Sequence, residues 1–399
     1  MQTPAMTPSG RPTRWAIDDE VLHLREWATD VVHPLIWNAR NPPTIGTAET
    51  CSIRVRGSAR RVAREHARLT FTRGRWSIAA RSSEHELLVD GAQCEAAELR
   101  PGLEISLGGA ITLIAESPRL IALRQGLARL LGWSPARREA IDQTLRRIRE
   151  HDIRRQPLIL CGWRREGDLV PVAQELHRLT FTEARPFILY DRDPAKTAAP
   201  EPPARTVVDR MTALAEAGDG TLCLLHSKLK YRELIAISLA VLPLNCLTHI
   251  VVCTTNDRAK EIPRPPIVIP PLDSRKADLD RLIEESIDRA AERLYCTGLV
   301  RLSSEDRAWL RARACGSLRE LQTATLRLVA VREAGSIHAG SALLGISHVA
   351  LTNWLNSRGF AKLEAAHARK PGRTRKPGRI RTAPRSPARR SASRRASSS

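Results

Sequence analysis

Between residues 35 and 116, apolar and polar positions alternate in short runs separated by Gly, Pro and polar turns: CSIRVRGSAR, RLTFTRGRWSIAA, HELLVDGAQC and LEISLGGAITLIAE. Alternation of period two at that spacing predicts an all-β sandwich over residues 31–117, preceded by an N-terminal segment at 1–30. Over 118–155 the period becomes helical, in LIALRQGLARLLGW and ARREAIDQTLRRIREH, and predicts linker helices. From 156 to 272 apolar strands (PLILCG, RPFILYD, TLCLLH, THIVVCTT) alternate with helical segments (DLVPVAQELHRL, RELIAISLAVL), the mark of βα units around a parallel sheet. The Pro-rich IPRPPIVIPPLDSR leads to helices that end at 333, and a compact helix pair follows at 334–362. Residues 363–399 are Pro-, Ser- and Arg-rich without periodicity and are expected to be disordered.

Composition sharpens this multidomain picture. A chain of 399 residues suits two or three cores. Its net charge of +21 points to a polyanionic partner, and the charge is concentrated: residues 369–399 hold 12 Lys or Arg and no acid. Arg outnumbers Lys by 56 to 8, a ratio that a GC-rich bacterial genome also produces. The eight cysteines form no CxxC pair and have no His spacing of a zinc site, so they are read as reduced core residues and no metal is expected. No run approaches the length of a membrane span, and the first fifteen residues contain no apolar leader, so a cytoplasmic protein without membrane contact is expected.

Four blocks in the first region (TIGTAETCSIRV, VAREHARL, LLVDG and LRPGLEISLGG) resemble those of forkhead-associated (FHA) domains. Family members bind phosphothreonine through an Arg after the Gly of the first block, a Ser in the SxxH block and an Asn before the Gly of the turn. Thr47, Ala63 and Asp90 stand at those places, and His66 of the SxxH block is kept. A phosphate dianion needs charge-assisted donors, so the resemblance implies a degenerate phosphopeptide site whose candidates are Arg60, Arg61, Arg64 and His66. The same residues also read as a solvated basic loop on a protein-interaction or dimerising sandwich.

PLILCGWRREGDLVPVAQELHRLTFTEARPFILYD resembles the start of the AAA+ domain of sigma-54-dependent activators, with Leu176, His177, Pro186 and Phe187 at its matching places. TTNDR with Asn256, IPPLDSRKADLDRLIEE and GSLRELQ with Arg319 follow in family order, the last as the sensor-2 segment. A Walker A loop needs glycines that turn backbone N–H groups to the phosphates, a Lys, and a Ser or Thr for magnesium. Only Gly162 and Gly167 remain, and Asp168 falls about where the Lys belongs. Leu225 and His226 replace the Walker B carboxylates, and the sigma-contacting loop is absent. The resemblance therefore implies a pseudo-ATPase, with no catalytic residues, no enzymatic activity and no cofactor. Gly162, Gly167 and Arg319 are its residual nucleotide candidates, and Arg164 and Arg165 lie in the same loop.

AGSIHAGSALLGISHVALTNWLNSRGF resembles the Fis-type helix-turn-helix that closes those activators. Ala339, Ala342 and Leu343 are expected as the buried stripe of the first helix, Gly345 at the bend, Ile346 between the helices, and Val349, Leu351 and Leu355 toward the core. Ser347, His348, Thr352, Asn353, Asn356 and Arg358 are the candidate DNA-binding residues, since Asn, Ser and Thr read base edges while Ser and Arg hold phosphates. The combined expectation is a regulator that binds double-stranded DNA, without ATPase activity, as a homodimer or larger assembly through residues 320–333, with a protein partner at the sandwich. The alternative is a signalling scaffold that binds partner proteins through the sandwich and the α/β domain, without specific DNA binding.

Overall fold

Arg73 and Gly74 both take positive φ, 53° and 76°, which is the geometry a two-residue hairpin needs between twisted strands. They join β5 (Ala67–Thr72) to β6 (Arg75–Ala80), whose alternate side chains Ala67, Leu69, Trp76 and Ile78 are buried. The computed structural model describes residues 20–56, 61–82, 84–154, 156–162, 165–181, 184–194, 204–228, 248–262, 264–296, 300, 302–314 and 316–360. The expected helix at RELIAISLAVL, the basic tail, Arg60 and Arg164 lie outside these residues.

The sandwich consists of two sheets. One runs β2 (Val32–Pro34), β1 (His23–Glu26), β11 (Ile111–Glu116), β10 (Glu104–Leu107), β7 (Leu87–Val89) and β8 (Ala92–Gln93). The other runs β4 (Ile53–Arg54), β3 (Thr44–Gly46), β5, β6 and β9 (Ala96–Glu98). The sandwich thus starts ahead of the boundary expected at 31, because β1 pairs antiparallel with β11, His23 opposite Glu116.

α1 (Pro118–Leu131) and α2 (Arg138–Arg154), expected as linkers, belong to the core of the molecule. Leu120, Leu123 and Leu127 of α1 and Ile141, Leu145 and Ile148 of α2 share one apolar cluster with the parallel sheet. α2 is also fastened to the sandwich by charge. Arg25, 1% exposed, gives Nη2 and Nη1 to the two oxygens of Asp142 at 2.6 and 3.0 Å, and Nε to Glu116 at 2.8 Å. Asp142 also accepts the backbone N–H of Ala28 at 2.7 Å. Around this clamp Arg146 pairs with Glu104 and Arg149 with Asp90.

The α/β sheet is wholly parallel, in the order β14 (Arg205–Val207), β13 (Phe187–Tyr190), β15 (Thr221–Leu225), β16 (His249–Thr255), β12 (Leu158–Gly162), β17 (Ile267–Val268). Every residue of β12 and β15 is buried, as expected of strands covered on both faces. α1, α2 and α3 (Val170–Thr180) cover one face, and α4 (Arg210–Ala217) packs on the other. A short helix, α5 (Asn256–Ala259), follows β16.

The helical lid and the terminal helix pair form one unit rather than the two expected. α6 (Leu279–Arg293), α7 (Ser304–Arg313) and α8 (Leu318–Ala334) share an apolar cluster with Leu351, Leu355 and Phe360. α8 lies at its centre, with eight residues buried between Leu321 and Val331. Much of residues 320–333, the expected dimer seam, is thereby turned into this chain's own core, while Gln322, Thr323, Arg327, Arg332 and Glu333 stay at least partly exposed. Among the described residues no helix is long and apolar enough to cross a membrane.

Candidate functional site

Three places collect the residues singled out in the sequence. The first is the loop 61–66 of the sandwich. It passes close to two glycines: a Cβ on Gly46 would meet the Arg64 carbonyl oxygen at 2.2 Å, and one on Gly108, at φ 55°, the Arg61 oxygen at 1.9 Å. Backbone bonds from Thr47 N to Ala63 O (3.1 Å) and from Ala48 N to Arg64 O (3.0 Å) fix it further. On this held loop the side chains of Arg61 and Arg64 are exposed, and neighbouring Arg81 pairs with Glu65 at 3.2 Å. His66 does not join them. It is fully buried, its Nδ1 accepts the Ala63 N–H at 3.2 Å, and its Nε2 meets the Glu86 carbonyl at 3.0 Å, so it shapes the loop from behind. Burial holds its pKa below the usual histidine value, against the pull of the Glu86 carbonyl. Thr47 turns its hydroxyl to Ala63 O, and Asp90 caps the β7–β8 turn, bound to Glu104 N and Arg149.

The second place is the carboxyl end of the parallel sheet. Gly162 ends β12, and Leu169 would crowd any side chain placed there. Gly167 and Asp168 lie in a 3-10 turn at Glu166–Leu169 that runs into α3, and space around Gly167 is open, so nothing local requires a glycine. A small cavity of about 50 Å³, bordered by Gly162, Arg165, Asp168, Leu169, Pro271 and Leu318, lies between this turn and the lid. Arg319 follows Leu318 and is half-buried. Glu166 was not singled out by any motif. Its buried carboxylate accepts the Ser227 N–H at 2.8 and 3.0 Å and lies 3.9 Å from Arg258. His226 is buried beside it, its Nδ1 2.9 Å from Thr254 Oγ1, and burial and the Arg258 charge hold its pKa below the usual value. Asn256 accepts the Cys161 thiol at 3.0 Å. Glu166, Ser227 and Arg258 at this end of the sheet are thus engaged with one another.

The third place is the terminal pair, α9 (Ile337–Leu344) and α10 (His348–Asn356), which packs against the C-terminal half of α8. Gly345, at φ 65°, makes the bend, and Ser347 caps α10 by accepting the Ala350 N–H at 3.1 Å. α9 is rotated from the expected register: Gly340 and Ser341 are buried, whereas Ala342 is exposed and Leu343 is 52% exposed. Gly340 allows the crossing, since a Cβ there would meet Val331 Cα at 3.0 Å.

On α10, Leu351 and Leu355 are buried, but Val349, expected inside, is 64% exposed. It shares the outer face with His348, Asn353 and Asn356. Two of the named residues turn elsewhere. The Thr352 hydroxyl is buried. Arg358 donates to Glu320 at 3.2 Å and lies 4.2 Å over Trp354, whose ring also meets Arg327 at 4.4 Å, so it ties α10 to α8. Among the described residues no group of three or more His, Cys, Asp or Glu is placed to hold a metal ion.

Comparison with known proteins bears on the first place. No curated protein matches the chain. Among solved structures it is similar to the FHA domain of FhaA, complexed with the intracellular domain of another protein (19% identity over 23% of this chain and 96% of that one, TM-score 0.21). It is similar also to Mycobacterium tuberculosis EmbR in complex with a low-affinity phosphopeptide (24% identity, 24% of each chain, TM-score 0.21). NtrX from Brucella abortus, in complex with ADP, matches over 59% of this chain and 72% of its own (17% identity, TM-score 0.34). The family model of the FHA domain matches residues 44–108, so the chain carries an FHA domain there.

Proposed function

We propose that this chain is a DNA-binding transcriptional regulator that works without ATP hydrolysis, with the FHA domain as its protein-interaction module. The observation that carries the reading is the geometry of α9 and α10: two short helices, a left-handed Gly345 at the bend, a capped second helix and a polar outer face, mounted on the core by Leu351 and Leu355. Twelve Lys or Arg between residues 369 and 399 supply the phosphate attraction that the helices do not. The sheet order β17–β12–β16–β15–β13 supports an AAA+-type origin for the central domain, and the internal pairing of Glu166, Ser227 and Arg258 supports its having left catalysis. The exposed Arg61 and Arg64 offer charge to an acidic or phosphorylated partner segment on a loop already fixed for docking. Selection from a random DNA pool tests the reading: an enriched motif with tail-deleted protein supports it, and none leaves the chain as a scaffold.

The absence of any Lys, Arg, Asp or Glu in residues 337–356 favours a second reading, in which the helix pair contacts protein. The same selection separates the two.

A further inference from the structure

The outer face of α10 is unusual in what it offers. Residues 337–356 hold no charged side chain other than two histidines. Val349, in the first turn of α10, is 64% exposed, and Asn353 four residues later lies on the same face. Leu351, Leu355 and the partly buried Trp354 make the α10 core contact, and Val349 lies outside that cluster. An exposed aliphatic side chain in the first turn of a second helix has one matching feature on a base-pair edge, the methyl group of thymine in the major groove. Beyond Phe360 the sequence holds 12 cationic groups and no acid over residues 369–399, a charge that suits a polyanionic partner. That complementarity selects duplex DNA over a second copy of a chain that is itself strongly cationic.

We infer that Val349 is a specificity-determining residue that reads a thymine methyl group, so that the site this protein prefers contains a required A·T pair next to the base met by Asn353. The inference rests on the DNA-reading function proposed above. The two fail in distinguishable ways.

The test uses the full chain and duplexes recovered from a random pool, with each thymine replaced in turn by deoxyuridine, which removes only the methyl. At one position the replacement is expected to weaken binding about fourfold, the worth of one buried methylene-sized group. Val349→Ala should bind the thymine duplex about fourfold more weakly and no longer distinguish thymine from deoxyuridine. Val349→Thr, which keeps a γ-methyl, should retain the preference. Nonspecific affinity should be unchanged in both variants. The inference is overturned if every replacement is neutral with unaltered protein, or if Val349→Ala keeps the thymine preference. It is overturned equally if that variant alters only the oligomeric state, which would mark the face as a contact between copies. A pool that yields no motif removes the DNA-reading function itself.

Discussion

Glu166 and Ser227, 61 residues apart, meet where β12 and β15 end, and both carboxylate oxygens of the first accept the backbone N–H of the second. Ser227 is itself exposed, so solvent competes for its N–H and the bond contributes about 0.5–1.5 kcal/mol. Glu166→Ala is therefore expected to destabilise the chain by about that amount in denaturant unfolding, and Glu166→Gln, which keeps an acceptor oxygen, by less. Equal stability of Glu166→Ala and the parent would show that solvent already serves Ser227.

Purified protein is expected to release no phosphate from ATP above background. Phosphoryl transfer depends almost wholly on positioning and charge stabilisation, and on the proposed reading Asp168, Leu225 and His226 take the places of a Lys and two carboxylates. A turnover abolished by Arg319→Ala would reverse this conclusion.

Stability should fall as pH drops below neutrality. Burial holds the pKa of His66 below its ordinary value, and His226 shifts the same way through burial and Arg258. The unfolded chain therefore binds more protons than the folded one in that range. Their contribution is complete above the ordinary histidine pKa of about 6.5 and is lost as pH falls through the depressed folded values. Urea unfolding at pH 8 and pH 5 should show the loss, and His66→Asn should flatten part of it while lowering stability at pH 8. A slope of the opposite sign would contradict the buried, neutral state of both rings.

Reading and holding DNA should separate. Asn353→Ala should lower the ratio of specific to nonspecific binding by about 1–3 kcal/mol if its amide meets a base edge. Removing residues 369–399 should flatten the salt dependence of binding without altering the preferred sequence. A preferred sequence that changes with the tail would move base recognition out of α10.

Much of this architecture was legible because strand and helix periods differ, and the order sandwich, α/β domain, helices follows directly from them. β1 was not legible: HLRE carries two charges, and its burial depends on Glu116 and Asp142, partners 91 and 117 residues away. The register of α9 failed for the opposite reason. A segment without Lys, Arg, Asp or Glu, as IHAGSALL is, does not say which face is inward, and the close approach of Gly340 to Val331 decided it, turning Ser341 inside. The partners of Arg358 were not legible either: a guanidinium suits DNA and a carboxylate equally well, and Glu320 lies 38 residues away while Trp354 is apolar.

The Arg25–Asp142 clamp means that the sandwich is not a portable cassette. A graft of residues 44–108 onto another protein would leave behind β1 and β11, and with them Arg25 and Glu116, while Asp90 and Glu104 would lose Arg149 and Arg146 of α2. Removing the whole sandwich, β1 included, would strand the buried Asp142 of α2 without Arg25 and the Ala28 N–H. A partner at the sandwich consequently meets a unit joined through α2 to the parallel sheet, rather than a bead tethered to it.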